Sequence, residues 1–211
     1  MNELTYTLVA DGASDRCLAP IITWALTQAL PLQGTRFISD EFADYRDSTS
    51  PPKGLAQKLR RAVEDFPCDI LFVHRDAEKG DPSDRRSEIL DAAKEAGVES
   101  VVCIIPVRMT EAWLLFDEPA IRQAAGNPHG STRLKLPALN RVEEVPDPKA
   151  MLETALEMAS EASGRRLKQF QRDLPLLKLR VTEYIEDFSP LRSLRAFEDF
   201  EKDVREVFSR L

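Results

Sequence analysis

Asp69-Ile70-Leu71-Phe72-Val73-His74 is the clearest strand signal in this chain of 211 residues. Its unbroken apolar run is what a strand buried on both faces of a parallel sheet requires. Residues 101–105 have the same character, and residues 4–10 form another run of β-branched and apolar side chains. We expect these three runs to be strands, with a shorter strand candidate at 37–39.

Segments with helical spacing separate these strands. Residues 16–30, 54–66 and 84–96 carry apolar side chains three and four positions apart. Gly97 stands where the C-cap of a helix favours glycine. Strands that alternate with helices predict an α/β fold, a Rossmann-like parallel sheet flanked by helices.

The pattern changes after residue 107, where helical signals dominate. We predict helices at 110–116, 119–125, 148–160 and 191–211, with a loop at 126–137. We interpret residues 1–107 as the α/β core and residues 108–211 as a helical extension packed on it, both in one structural unit. The last helix has an apolar stripe that either packs on the protein's own sheet or docks on a partner, formed by Leu191, Leu194, Phe197, Phe200, Val204 and Phe208.

Bulk composition narrows the class of protein. The net charge of −7 and the pI near 5.1 argue against a chain that grips nucleic acid with its whole surface, although a local basic face or a bridging metal leaves nucleic acid possible. No apolar run is long enough to predict a membrane span, and no signal peptide is expected. Three widely spaced cysteines are expected to be free thiols, which favours the cytoplasm: Cys17, Cys68 and Cys103.

Acidic side chains follow several of the predicted strands. Asp11 and Asp15 come after the first strand, and Asp76 and Glu78 after the strand at 69–74. In an open parallel sheet, ligands bind at the carboxyl ends of the strands, so both pairs are expected at one edge. Carboxylates gathered there repel one another unless cations offset them, and oxygen-rich sites suit Mg²⁺ or Mn²⁺. Glu111 follows the fourth strand and starts from the same edge.

Each of these residues also has a simpler interpretation. Asp15 is an ordinary helix cap as readily as a ligand, and the helix dipole alone favours an acid at Glu111. His74 either assists an acid–base step or is hydrogen-bonded to neighbouring backbone. Basic candidates for contact with phosphates are Arg75, Arg85, Arg108 and Lys149.

Two of these motifs resemble those of Toprim domains, which occur in primases, topoisomerases and certain nucleases. Asp11-Gly12 followed by Ser14-Asp15 is similar to their first motif, and Asp76-Ala77-Glu78 to their Asp-x-Asp motif. Together with residues 110–115 and Asp147-Pro148-Lys149, the chain resembles a bacterial Toprim-like family of unknown function. We associate that family with gene neighbourhoods that contain an ATPase, in the manner of phage-defence systems.

The resemblance implies metal-dependent phosphodiester chemistry on a Toprim-like fold. Asp11 would act in acid–base catalysis or metal binding, Asp76 and Glu78 would hold Mg²⁺, and Glu111 would complete a second metal position. The chain departs from the pattern by having Asp at position 11 where Glu is usual, and Glu at position 78 where Asp is usual. The two changes either compensate in length or mark a copy that binds without cutting.

Three functions therefore stand as hypotheses. The first is a Mg²⁺- or Mn²⁺-dependent nuclease acting on DNA or RNA. The second is a Toprim-like binding module of little activity that docks on an ATPase partner. The third is a small-nucleotide phosphohydrolase. The acidic charge of the chain suits a small substrate better than a long polyanion.

Overall fold

A four-stranded parallel sheet forms the centre of the protein. The computed structural model describes residues 3–29, 37–78 and 80–211. The strand order is β2-β1-β3-β4, and every neighbouring pair is parallel. The strands are β1 (Glu3–Val9), β2 (Phe37–Ala43), β3 (Ile70–His74) and β4 (Val101–Ile104). The predicted α/β architecture with a Rossmann-like parallel sheet is confirmed.

Seven α-helices are described alongside the sheet. Three connect successive strands: α1 (Leu18–Ala29), α2 (Leu55–Asp65) and α3 (Pro82–Ala96). The other four follow β4: α4 (Glu118–Ala124), α5 (Pro148–Ser160), α6 (Gly164–Tyr184) and α7 (Arg195–Phe208). Four short 3₁₀ helices complete the described elements: Ala13–Cys17, Thr110–Leu114, Leu139–Glu144 and Ser189–Ser193. None of the described helices is long and apolar enough to cross a membrane.

The strand side chains alternate between two hydrophobic cores, one on each face of the sheet. Helices α2 and α3 cover the face with Val9, Leu71 and Val73. Helix α1 and the C-terminal helices cover the other face, where Tyr6 and Phe72 lie. Since successive side chains of a strand point to opposite faces, the four apolar residues that begin β3 fill both cores.

The C-terminal helices share a core with the sheet. The ring of Phe72 lies 6.3 Å from that of Phe200 on α7, and Trp113 lies 5.2 Å from Phe197. Trp113 is fully buried. The apolar stripe of α7 is likewise buried at Phe197, Phe200 and Val204, so it packs on the protein's own core and does not form a free docking surface.

Several boundaries differ from those predicted. Strand β2 runs for seven residues, and no described strand pairs with its outer side, so it is an edge of the sheet. The last helix begins at Arg195 and not at 191, because Leu194 has extended backbone that follows the short 3₁₀ turn. Helix α6 was not predicted at all. Gly97 adopts the left-handed conformation (φ 75°) at the end of α3, as expected of a glycine C-cap.

All three cysteines are free. Cys17 and Cys103 are buried and Cys68 is half-buried. Burial raises the pKa of Cys17 and Cys103 to about 12, so these thiols are unreactive at neutral pH. The expectation of free thiols without a disulfide framework is confirmed.

Candidate functional site

The carboxyl ends of β1 and β3 form the point where the strand order reverses. The chain places β2 on one side of β1 and then crosses over to place β3 on the other side. The loops that leave β1 and β3 therefore diverge, and the crevice between them is where open α/β sheets bind ligands. The first loop carries Asp11 and Asp15, and the second carries Asp76 and Glu78.

The loops after β3 and β4 continue the pairing of their strands. The backbone N–H groups of Arg75, Ala77 and Glu78 donate to the carbonyls of Ile104, Pro106 and Arg108, each at 3.1 Å. Glu78 and Arg108 both adopt left-handed backbone, with φ of 54° and 68°. Side chains other than glycine rarely adopt this conformation, and such strain clusters at functional sites. The paired loops fix the position of Asp76 relative to Thr110.

Asp76 lies just past the carboxyl end of β3, at the switch point of the sheet. Its Oδ1 accepts a hydrogen bond of 3.1 Å from the backbone N–H of Thr110, and 28% of the side chain is exposed. Burial raises the pKa of Asp76 to about 6, and the charges of Asp15 and Glu111 act in the same direction. His74 and the Thr110 N–H oppose this rise. No Lys or Arg of the described chain makes an ion pair with Asp76. Its negative charge, when present, is therefore not balanced by a permanently charged side chain.

His74 is buried beneath Asp76. Its Nδ1 lies 3.1 Å from the carbonyl oxygen of Ile104, which can only accept, so the hydrogen bond needs the proton on Nδ1. Its Nε2 then faces the hydroxyl of Thr110 at 3.3 Å and Oδ1 of Asp76 at 3.4 Å. A proton carried by Asp76 is therefore within reach of Nε2. Because the ring is 3% exposed, His74 acts on the crevice through Asp76.

Glu111 forms a buried ion pair with Lys178. Both side chains are less than a tenth exposed, and the ammonium of Lys178 donates directly to Oε1 of Glu111. Helix α6 packs on the 3₁₀ turn Ala13–Cys17 and so brings this cation to the crevice. Lys178 is a site residue that sequence reasoning missed. Its signal was a single lysine within the buried apolar face of a helix, beside Leu174, Leu177 and Val181.

Asp15 caps the turn that precedes α1. Its Oδ2 accepts from the Gly12 N–H at 2.9 Å, and the Ser14 hydroxyl donates to Oδ1 at 3.3 Å. The helix-cap interpretation of Asp15 is therefore confirmed in geometry. Its charge still reaches Asp76, whose pKa it raises. These residues form what we name the inner cluster: Asp15, His74, Asp76, Glu111 and Lys178.

A second group of charges lies on the exposed side of the same edge. Arg75 binds Oδ2 of Asp11 at 2.7 Å and Oε1 of Glu88 at 2.9 Å. Arg85 binds the other oxygen of Glu88 at 2.9 Å, and Lys58 lies 3.4 Å from Asp11. We name this network the outer cluster: Asp11, Lys58, Arg75, Arg85 and Glu88. Here every carboxylate has basic partners.

The remaining predicted site residues lie outside the inner cluster. Glu78 is exposed and lies on the outer side, where it helps Glu88 to raise the pKa of Arg85. Arg108 is half-buried and makes no ion pair with any described residue. Lys149 is exposed in the first turn of α5, next to Asp147, which caps that helix by accepting from the Ala150 N–H.

The predicted ligands therefore divide between the two clusters. Asp76 and Glu111 meet in the inner one, Asp11 lies in the outer one, and Glu78 faces solvent beside it. In the arrangement described for residues 3–29, 37–78 and 80–211, no three His, Cys, Asp or Glu side chains form a group that could hold a metal ion. Asp11 and Glu111 are each already bound by basic side chains of the protein.

Comparison of the chain with protein-family models, with curated proteins and with solved structures finds no match in any of the three. The inner cluster is therefore the observation from which a function can be inferred.

Proposed function

We propose that the protein is a metal-dependent phosphodiester hydrolase with a Toprim-like core, and that the reaction takes place at the inner cluster. The observation that carries this proposal is Asp76, a half-buried carboxylate at the switch point of the sheet. Burial raises the pKa of Asp76, and the neighbouring charges of Asp15 and Glu111 raise it further. Residues with such perturbed pKa values in a crevice are candidates for function.

The charges of the inner cluster support a divalent ion. Asp15, Asp76 and Glu111 supply three negative charges when ionised, and Lys178 supplies one positive charge. The difference of two is what Mg²⁺ or Mn²⁺ would neutralise, and carboxylate oxygens are the ligands that both ions prefer. The residues therefore fit such an ion by charge and by donor type.

Asp76 would hold the ion. In the described arrangement Asp15 and Glu111 do not complete a group that could hold it, so their side chains would have to turn toward Asp76 when the ion binds. Once bound, the ion would supply a Lewis acid that neutralises charge on a phosphodiester. Lys178 donates to Glu111 and holds its side chain in place. His74 takes up or returns a proton at Nε2 through Asp76, and Arg108 is free to contact a phosphate oxygen.

The identity of a protein partner stays open in this proposal. Phe197, Phe200 and Val204 of the α7 stripe are buried, so the stripe does not support docking on an ATPase. An ATPase partner in a phage-defence setting therefore remains an idea drawn from the family resemblance alone.

Calorimetric titration with Mg²⁺ and Mn²⁺ tests the site. We expect Asp76→Asn to lose at least about tenfold in affinity for the ion. Glu99→Gln is a matched control because Glu99 is an exposed acid just before β4, at the opposite edge of the sheet. Equal affinity in the wild type and Asp76→Asn would refute the proposed ion site.

Cleavage assays then identify the substrate. Plasmid DNA, RNA and a small nucleotide ester are incubated with the wild type and Asp76→Asn in Mn²⁺. We expect hydrolysis by the wild type alone. Hydrolysis restricted to the small ester would make the protein a small-nucleotide phosphohydrolase instead of a nuclease.

A further inference from the structure

Helix α6 concentrates positive charge in an acidic protein. Between Gly164 and Tyr184 it holds six Lys or Arg residues and two acids, Asp173 and Glu183, for a net charge of +4. Since the whole chain carries −7, the remaining residues carry −11. The basic residues of α6 are Arg165, Arg166, Lys168, Arg172, Lys178 and Arg180.

Most of these cations lie on the exposed face of α6. Lys168, Arg172 and Arg180 are exposed and share one face, because they are separated by four and eight positions. Leu176 lies between them on this face and is 65% exposed. Successive members of this four-residue spacing are about 6 Å apart along the helix. Arg165 starts the same row, and we name Arg165, Lys168, Arg172 and Arg180 the α6 row.

The α6 row has no carboxylate partners. Among the described residues, none of its four members makes an ion pair, whereas Arg75, Arg86 and Arg192 are each held by acids. A row of like charges repels itself, and an acidic chain offers ample carboxylates to relieve that repulsion. The absence of such pairing along four turns suits an external polyanion with regularly spaced charges.

We propose that the α6 row binds the phosphate backbone of a nucleic-acid strand. An anionic membrane fits less well, because a helix that lies on lipid needs a broad exposed apolar face. The apolar face of α6, with Leu174, Leu177 and Val181, is buried in the protein, and only Leu176 and Tyr184 are exposed among the large hydrophobic side chains of the helix.

Helix α6 also connects this surface to the inner cluster. Lys178 projects from the opposite face of the same helix and binds Glu111. A strand on the α6 row therefore lies about one helix diameter, ~10 Å, from the crevice. Delivery of a phosphodiester to the crevice rests on the proposed function, whereas binding to the row does not.

Fluorescence anisotropy tests the row with labelled 20-nucleotide single-stranded DNA and RNA in EDTA. We expect the wild type to bind and the variant Lys168→Gln/Arg172→Gln/Arg180→Gln to bind at least about tenfold more weakly. The slope of log affinity against log salt should fall by about two, since each lost contact with a single strand contributes about 0.7.

A matched control removes three exposed, unpaired cations elsewhere, in Lys94→Gln/Arg133→Gln/Lys135→Gln, and should bind as the wild type does. Circular dichroism confirms that both triple variants are folded. Wild type that does not bind either strand, or equal losses in the two triple variants, would overturn the proposal. Row-dependent binding to anionic vesicles without binding to either strand would overturn it as well.

The same assay separates the row from the reaction. Asp76→Asn should bind the strands normally in EDTA, because no divalent ion takes part. Normal binding by a protein that cleaves nothing would leave the row intact and refute the proposed hydrolase. Hydrolysis of a small nucleotide ester without strand binding would refute the binding role of the α6 row and leave the proposed hydrolase intact.

Discussion

The outer and inner clusters lie at one edge of one sheet, yet they differ in how their carboxylates are paired with cations. In the outer cluster, Asp11 and Glu88 alternate with three cations, and the side chain of Asp11 is 61% exposed. The inner cluster contains three acids and one ammonium, that of Lys178, whose buried ion pair is with Glu111. In the outer cluster the cations outnumber the acids, whereas in the inner cluster the acids outnumber the cations.

This difference shows which acids are candidates for chemistry. Exposed ion pairs contribute little to stability and are easily formed on a surface rich in both charges. A carboxylate such as Asp76, kept partly from water beside other carboxylates, costs free energy unless a further cation arrives. The functional proposal therefore rests on the acids of the inner cluster. The acids of the outer cluster form surface ion pairs.

The largest expected effect comes from breaking the buried ion pair. Lys178→Met leaves Glu111 as an uncompensated buried charge, which should lower the free energy of unfolding by about 3–5 kcal/mol. Urea denaturation of the wild type and the variant measures the loss.

The double variant Glu111→Gln/Lys178→Met is the control for this prediction. It removes both charges and should recover much of the lost stability. A Lys178→Met protein as stable as the wild type would mean that Glu111 is reached by water or by another cation.

A smaller effect is expected from Asp76→Asn, and it depends on pH. The pKa of Asp76 rises from 3.8 in the unfolded chain to about 6 in the folded protein, so ionisation destabilises the folded state as pH increases from about 4 to above 6. Asparagine avoids this cost and should stabilise the protein by about 1–3 kcal/mol at pH 8. Below about pH 3 the pH-dependent difference should vanish, because Asp76 is then largely protonated in both states.

Urea denaturation between about pH 3 and pH 8, without divalent ions, measures this difference. A gap between Asp76→Asn and the wild type that does not change with pH would show that the inner cluster does not perturb Asp76. Saturating Mg²⁺ should narrow the gap at pH 8 by stabilising the wild type.

The smallest effect is expected in the outer cluster. Arg75→Gln removes contacts with Asp11 and Glu88, yet these pairs are partly exposed, and the cost should be below about 1 kcal/mol. The cost should shrink further in 0.5 M salt because exposed charges are screened. A loss as large as that of Lys178→Met would erase the distinction between the two clusters.

Most of the fold was predictable from local patterns. The unbroken apolar run of β3 and the helical spacing of α2 and α3 identify the elements, and their alternation indicates the parallel sheet. Helix α6 escaped prediction because Pro175 interrupts its pattern and charges crowd its exposed face. Proline inside a helix removes one hydrogen bond, and here the packing of Leu174, Leu177 and Val181 outweighs that loss.

The site was predictable to the level of the sheet edge and no further. Sequence order places Asp11, Asp76 and Glu78 after strands, but it does not say which side chains turn inward. That choice depends on Lys58 and Arg75, which capture Asp11, and on the left-handed backbone of Glu78. Lys178 is 67 positions from Glu111, a separation at which local patterns carry no information.

The open edge at β2 has a consequence for how copies of this protein meet. Its outer backbone groups form a template on which another strand can pair, a route to aggregation. Ser39, Asp40 and Glu41 are all exposed in the middle of the strand. A second copy that paired there would bring acidic side chains against acidic side chains, across an interface between two molecules that each carry −7. The negative charge of the chain thus helps to keep further strands from joining the sheet at this edge.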